Sequence, residues 1–168
     1  MRKALIIGNW KMNGNLAEND KLLNTINDSY KPSDGVEVVI CPPSPYLAQV
    51  TQQLLHSKIK YGAQNVNAQK NGAHTGEVST SMLYDLGCSY VLLGHSERRS
   101  LYQESNIGIA YKFSATLLDK MIPVLCVGET LAQRQCDETF AVIAEQISST
   151  CTKFIICCPF DSFISSPV

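Results

Sequence analysis

The stretch Tyr90-Val91-Leu92-Leu93-Gly94-His95-Ser96-Glu97-Arg98-Arg99 changes character at a single residue. Before Gly94 every side chain is apolar or aromatic, and after it every side chain is polar or charged. An apolar run without alternation reads as a strand buried on both faces. The switch after it places polar groups beyond the strand's carboxyl end, which is where parallel β/α folds build their chemistry. The same switch recurs along the chain. Ala4–Gly8 leads into Asn9-Trp10-Lys11-Met12-Asn13, and Ile59–Ala63 into Gln64-Asn65 and a polar loop through Gly76-Glu77. Pro123–Val127 leads into Gly128-Glu129-Thr130, while Val36–Cys41 and Phe154–Cys158 complete the set of strand-like runs.

Between the runs lie amphipathic stretches. Leu16–Ile26 places Leu16, Leu22, Leu23 and Ile26 toward one side, and Tyr46–Leu55 does the same with Leu47, Val50, Leu54 and Leu55. Thr80–Leu86 reads as a short helix with Gly87 as its stop signal. Ile107–Asp119 and Thr139–Ile147 follow, with Pro123 marking a break after the former. Strand and helix thus alternate about every 30 residues, as βαβ units do. The alternation implies a parallel sheet with helices outside it. An open doubly wound sheet and a closed (β/α) barrel both fit. Length alone favours the open sheet, since a full barrel takes about 250 residues and this chain has 168.

Composition bounds the function classes. Hydrophobic residues make up 45% and charged residues 17%, as in ordinary globular proteins. A net charge of −1 gives no electrostatic basis for binding nucleic acid or an anionic membrane. No run approaches the roughly 20 apolar residues of a membrane span. Ala4-Leu5-Ile6-Ile7 is too short for a signal-peptide core, so the expected compartment is the cytoplasm. The seven cysteines are odd in number and irregular in spacing, with no C-x-x-C pair, and read as buried free thiols rather than disulfides or a zinc site.

Taken singly, the polar residues have plain readings. A lysine after a strand is usually solvated, and a lone histidine is more often structural than catalytic. Glu97-Arg98-Arg99 fits either a solvated helix start or an internal ion-pair cluster, the latter suiting the arginines. Gln64 and Asn65 fit a role in satisfying loop backbone groups.

Together they are specific. Gly8-Asn9-Trp10-Lys11-Met12-Asn13, Gly62-Ala63-Gln64-Asn65, His74-Thr75-Gly76-Glu77, Leu93-Gly94-His95-Ser96-Glu97-Arg98-Arg99 and Cys126-Val127-Gly128-Glu129-Thr130 occur in this order. In these strings and their spacing the chain resembles the triosephosphate isomerase family, from about Met1 through Ser149. The resemblance implies a (β/α)8 TIM-barrel type of fold, incomplete here at about five βα units plus a sixth strand. It implies residues 1–150 as a partial barrel and residues 151–168 as an atypical tail. It also implies the interconversion of dihydroxyacetone phosphate and glyceraldehyde 3-phosphate, without cofactor or metal.

That reaction needs a base, an electrophile for the developing oxyanion, and a cationic setting for the phosphate. By resemblance, His95 is the electrophile, Lys11 the cationic catalytic residue and Glu97 a carboxylate paired with it. Asn9 joins Lys11 in holding substrate, and Cys126 is a buried thiol behind the site. Thr75, Gln64, Asn65 and Glu77 belong to the interface of a homodimer, the loop Asn65–Glu77 reaching into a second isomerase subunit. The family's general base stands in a sixth-strand string reading Ala-Tyr-Glu-Pro-Val-Trp. Here Lys153-Phe154-Ile155-Ile156-Cys157-Cys158-Pro159-Phe160-Asp161 offers no glutamate. No Gly-rich phosphate loop follows, and the Cys-, Ser- and Phe-rich composition of 151–168 reads as an aberrant ending or a short paralogue. The chain is therefore expected to be nearly inactive alone, with apolar edge strands that aggregate or pair with another chain. Two other readings are a non-catalytic partner of an intact isomerase subunit and a flavodoxin-like nucleotide or flavin binder. The latter needs a small-residue phosphate loop after the first strand, where Asn9-Trp10-Lys11 is bulky.

Overall fold

The computed structural model describes residues 4–150. Five strands, β1 (Ala4–Asn9), β2 (Val36–Cys41), β3 (Lys60–Ala63), β4 (Tyr90–Leu93) and β5 (Ile122–Leu125), form its sheet. The helices are α1 (Leu16–Ser29), α2 (Leu47–Gln53), α3 (Thr80–Asp85), α4 (Ser96–Leu101), α5 (Asn106–Leu118), α6 (Leu131–Gln135) and α7 (Thr139–Thr150). A 3-10 turn, Ser44–Tyr46, leads into α2. Most helices begin on a side-chain cap. Asn15, Ser79 and Ser105 each accept an N–H of the first turn, and Thr130 with Gln133 closes a reciprocal capping box. Gly87 ends α3 as expected, and for two reasons. Its φ is 80°, and a Cβ there would lie 2.6 Å from the Tyr61 hydroxyl, which donates to the Leu86 carbonyl at 3.0 Å.

Every strand pair is parallel and the order is β1-β2-β3-β4-β5. A doubly wound sheet reverses its winding direction at a switch point. Here each crossover steps in the same direction, so right-handed connections put the helices on one face and the sheet curls around the other. Side chains sort accordingly, with the strand period of two. Val39, Cys41, Tyr90, Leu92 and Val124 form an inner cluster against which Leu5 and Ile7 pack. The intervening residues meet the helices. Val91, Leu93 and Leu125 pack with Leu83, Ile109 and Phe113, while Ile40 packs with Leu23 and Val50. This is the curled half of a (β/α)8 TIM-barrel sheet. Among the described residues β1 and β5 pair on one side only, and Ile6 on the helix side of β1 is 58% exposed.

Several expectations change. α4 and α6 appear where no helix was expected from periodicity. Leu16, Leu22 and Leu55 face outward, leaving Leu23, Leu47, Val50 and Leu54 as the buried stripe. The expected strand Phe154–Cys158 and the tail 151–168 lie outside the described residues, as do Cys151, Cys157 and Cys158. Cys41, Cys88 and Cys126 are buried free thiols and Cys136 is an exposed one.

Candidate active site

The site is built around Lys11, whose φ of 52° is left-handed, a conformation that costs a side-chain-bearing residue about 1–2 kcal/mol. Its neighbours hold it there. Asn9 Oδ1 accepts the Lys11 backbone N–H at 2.9 Å. Gln64, just past β3, donates from Nε2 to the carbonyls of Lys11 (2.9 Å) and Cys41 (2.8 Å). Lys11 is thus clamped at both its N–H and its carbonyl; Gln103, Lys120 and Asp137 adopt a similar left-handed φ outside the cleft.

The Lys11 ammonium meets Glu97 Oε1 at 2.7 Å. That hydrogen bond, foremost, holds the Glu97 carboxyl below the usual carboxylate range against the opposing effect of its burial. Both side chains are more than 40% exposed, so the pair fixes geometry more than it stabilises the fold, contributing under about 1 kcal/mol.

His95 is the N-cap of α4, and its Nδ1 accepts the Glu97 backbone N–H at 3.3 Å. A ring nitrogen that accepts carries no proton, so Nε2 is left as the donor. Glu97 Oε2 stands 3.6 Å from Nδ1, beyond hydrogen-bond length. Asn9, Lys11, Gln64, Asn65, Glu77, His95 and Glu97 all line one cleft of about 710 Å³ at the carboxyl ends of the strands. Thr75 is exposed on the loop beside Gly76, which lines the same cleft.

The ion-pair cluster expected of the arginines forms at Arg98, with partners that the sequence did not name. Glu104 accepts from Lys112 and, at 3.2 Å, from Arg98, and Lys112 also donates to Asn65 Oδ1 at 2.9 Å. Burial raises the Glu104 pKa, but the two cations outweigh it and hold the carboxyl below its ordinary value. The network seats Asn65 beside the cleft. Arg99 corrects an expectation. Among the described residues it makes no ion pair, donating instead to the Gly94 carbonyl (2.6 Å), Asn106 Oδ1 (2.6 Å) and the Cys126 carbonyl (3.3 Å). Cys126 is buried, as expected behind the site. Among the described residues no group of three or more His, Cys, Asp or Glu side chains is placed to hold a metal.

A one-way-wound parallel sheet with a clamped lysine, a carboxylate and a histidine converging from two strand ends defines a domain of the (β/α)-barrel enzyme class. The family model "Triosephosphate isomerase" matches residues 4–156, and the chain belongs to that family. A triosephosphate isomerase of Thiobacillus denitrificans is 50% identical over 149 residues, 89% of this chain and 59% of the relative. Those of Rhodopirellula baltica (48% over 146 residues; 87% and 58%) and Hahella chejuensis (45% over 164; 98% and 64%) are similar. The chain thus spans about three fifths of the length of the curated relatives it matches.

Proposed function

We propose that this chain carries the electrophilic half of a triose phosphate isomerase site, in the cytoplasmic route of glycolysis and gluconeogenesis. The observation that carries the reading is the convergence of clamped Lys11 and His95, with Nε2 free to donate, on one cleft. In the reaction a proton leaves the carbon beside the substrate carbonyl and returns to the neighbouring carbon. Negative charge gathers on oxygen between the two steps. The His95 Nε2–H donates to that oxygen, and Lys11 offsets the charge of the enediolate and phosphate. Asn9 holds Lys11 and the substrate oxygens. Glu97 keeps the ammonium in place.

The cleft's own carboxylates are engaged, Glu97 by Lys11 and Glu77 by Asn67. The general base and the phosphate-binding N–H groups therefore come from polypeptide equivalent to the part of the relatives this chain does not match. Alone, the chain turns over little substrate. A coupled assay with and without the carboxyl-terminal two fifths of a relative tests this. Activity appearing on mixing, and lost with His95→Gln, is the expected result. A fragment that binds the chain but restores no turnover counts against it.

A second reading is favoured by apolar exposure around the cleft mouth: Met12 is 93%, Leu101 72% and Tyr102 66% exposed. The loop Asn65–Glu77, with Thr75 exposed on it, then docks on a second isomerase subunit, as a homodimer or as a non-catalytic partner of an intact chain. Co-purification with a full-length subunit, abolished by Met12→Asp, supports it. A chain that sediments as a monomer beside the full-length subunit refutes it.

A further inference from the structure

We propose that Arg99 is a positioning residue for His95, acting through the peptide unit that joins Gly94 to His95. The proposal rests on the reading of His95 as electrophile. It concerns the conformation of the ring before any substrate is present.

The ladder between β4 and β5 ends where the Cys126 N–H donates to the Leu93 carbonyl at 2.9 Å. The next two carbonyls, Gly94 and Cys126, take the arms of the Arg99 guanidinium instead, Nε at 2.6 Å and Nη2 at 3.3 Å. The planar fork replaces a rung of the sheet, a geometry a lysine cannot reproduce. Its remaining arm holds Asn106 Oδ1 at 2.6 Å, and Asn106 Nδ2 in turn donates to Glu145 on α7. The Gly94 carbonyl belongs to the same peptide plane as the His95 nitrogen, so fixing that plane fixes how the chain enters α4. From that entry Nδ1 reaches the Glu97 N–H at 3.3 Å.

Gly94 fits this arrangement. Its φ is 69°, and a Cβ there would lie 2.8 Å from Arg99 Nη2 and 2.8 Å from Ile109 Cδ1. The glycine clears space for the guanidinium. Burial lowers the Arg99 pKa first of all, as fits a half-buried cation whose hydrogen-bond partners are all neutral. The nearby Glu104 carboxylate favours the charged guanidinium from a distance, while the direction of the fork is set by its three neutral acceptors.

The test uses the full 168-residue chain, nitrogen-15 labelled, as wild type, Arg99→Lys and Arg99→Met. The ring nitrogens of His95 are followed by NMR, with His56 and His74 as internal references. Positioning predicts that Arg99→Lys stays folded yet loses at least threefold of its Nε2–H over Nδ1–H preference at His95 alone. A folded Arg99→Lys with unchanged His95 nitrogen shifts overturns the proposal. If neither variant folds, the unsubstituted chain decides. The Arg99 Nε–H should exchange at least tenfold more slowly than that of Arg134, which is 68% exposed, and equal rates overturn the proposal. These readouts need no substrate. Failure of fragment rescue therefore strikes the proposed activity alone, and an unmoved His95 strikes the role of Arg99 alone.

Discussion

Glu104→Gln is the substitution whose cost the structure specifies best. The Glu104 side chain is 7% exposed and serves two cations, Lys112 at 15% and Arg98 at 31% exposure. One carboxylate oxygen takes both, while Oε2 is buried with no partner. Removing the charge leaves Lys112 and Arg98 facing one another. Arg98 can turn to solvent, since its guanidinium also lies over the Tyr102 ring 5.1 Å away. Lys112 is less able to, being only 15% exposed, and among the described residues it keeps Asn65 Oδ1 alone as a hydrogen-bond acceptor. Breaking a buried pair from one side typically costs about 3–5 kcal/mol. With Arg98 free to rehydrate, the low end applies, about 3 kcal/mol, or a fall in Tm of roughly 6–12 °C at this chain length. Glu104→Gln/Lys112→Met removes the stranded cation and should recover all but about 1 kcal/mol. Urea unfolding of the two single variants and the double variant measures the cycle. A Glu104→Gln variant within about 0.5 kcal/mol of wild type, or a double variant no better than it, would show that the network carries no such energy.

Gly94→Ala should cost about 3 kcal/mol in urea unfolding, from a left-handed φ of 69° and overpacking against Arg99 and Ile109. Because the Glu97 pKa is lowered in the fold, its contribution is fully present above the ordinary value of about 4.3 and is lost as pH falls through the lowered one. A pH series of melts should therefore show a small acid-side loss, under about 1 kcal/mol, that Lys11→Met removes. Thiol labelling followed by peptide mapping should mark Cys136 in the native chain. Cys41 and Cys88, whose thiols burial pushes up to about 12, should react only on unfolding.

What could be read from the sequence followed from apolar runs of sufficient length. Val36–Cys41 is both the expected strand and the observed one, its second half, Val39–Cys41, being buried at every residue on both faces. The other four described strands agree within about two residues, which is the scale on which ladder ends fray. α4, at six residues, was offered only as a helix start at Glu97-Arg98-Arg99, and α6, at five, was not read, whereas the equally short α3 was legible through its glycine stop. Leu22 and Leu55 were assigned to buried stripes, but each sits past the edge of the face that meets the sheet. The clamped Lys11, His95 and Glu97 were legible only through the motif strings. Gln64 was read as satisfying loop backbone groups, and it does so at the carbonyls of Lys11 and Cys41. The bonds of Arg99 were not read, because two of its three acceptors are backbone carbonyls, which every residue has and no side-chain pattern reveals.

The site and the curl of the sheet are one constraint. Lys11 follows β1, yet its partners come from the ends of β3 (Gln64) and β4 (Glu97). In a flat sheet, with strands about 4.8 Å apart, those ends would lie roughly 10 and 14 Å away. Lysine, glutamate and glutamine side chains span such gaps only when almost fully extended, so a sheet that bends around them eases the Gln64 amide to 2.9 Å from the Lys11 carbonyl and the Glu97 carboxylate to 2.7 Å from the ammonium. That bend is held by the inner cluster of Val39, Cys41, Tyr90, Leu92 and Val124, which lies below the cleft and lines none of it. The volume of those side chains thus sets the separation of β1 from β4. A substitution such as Leu92→Ala acts on Lys11 and Glu97 through curvature, with no group of the site itself altered.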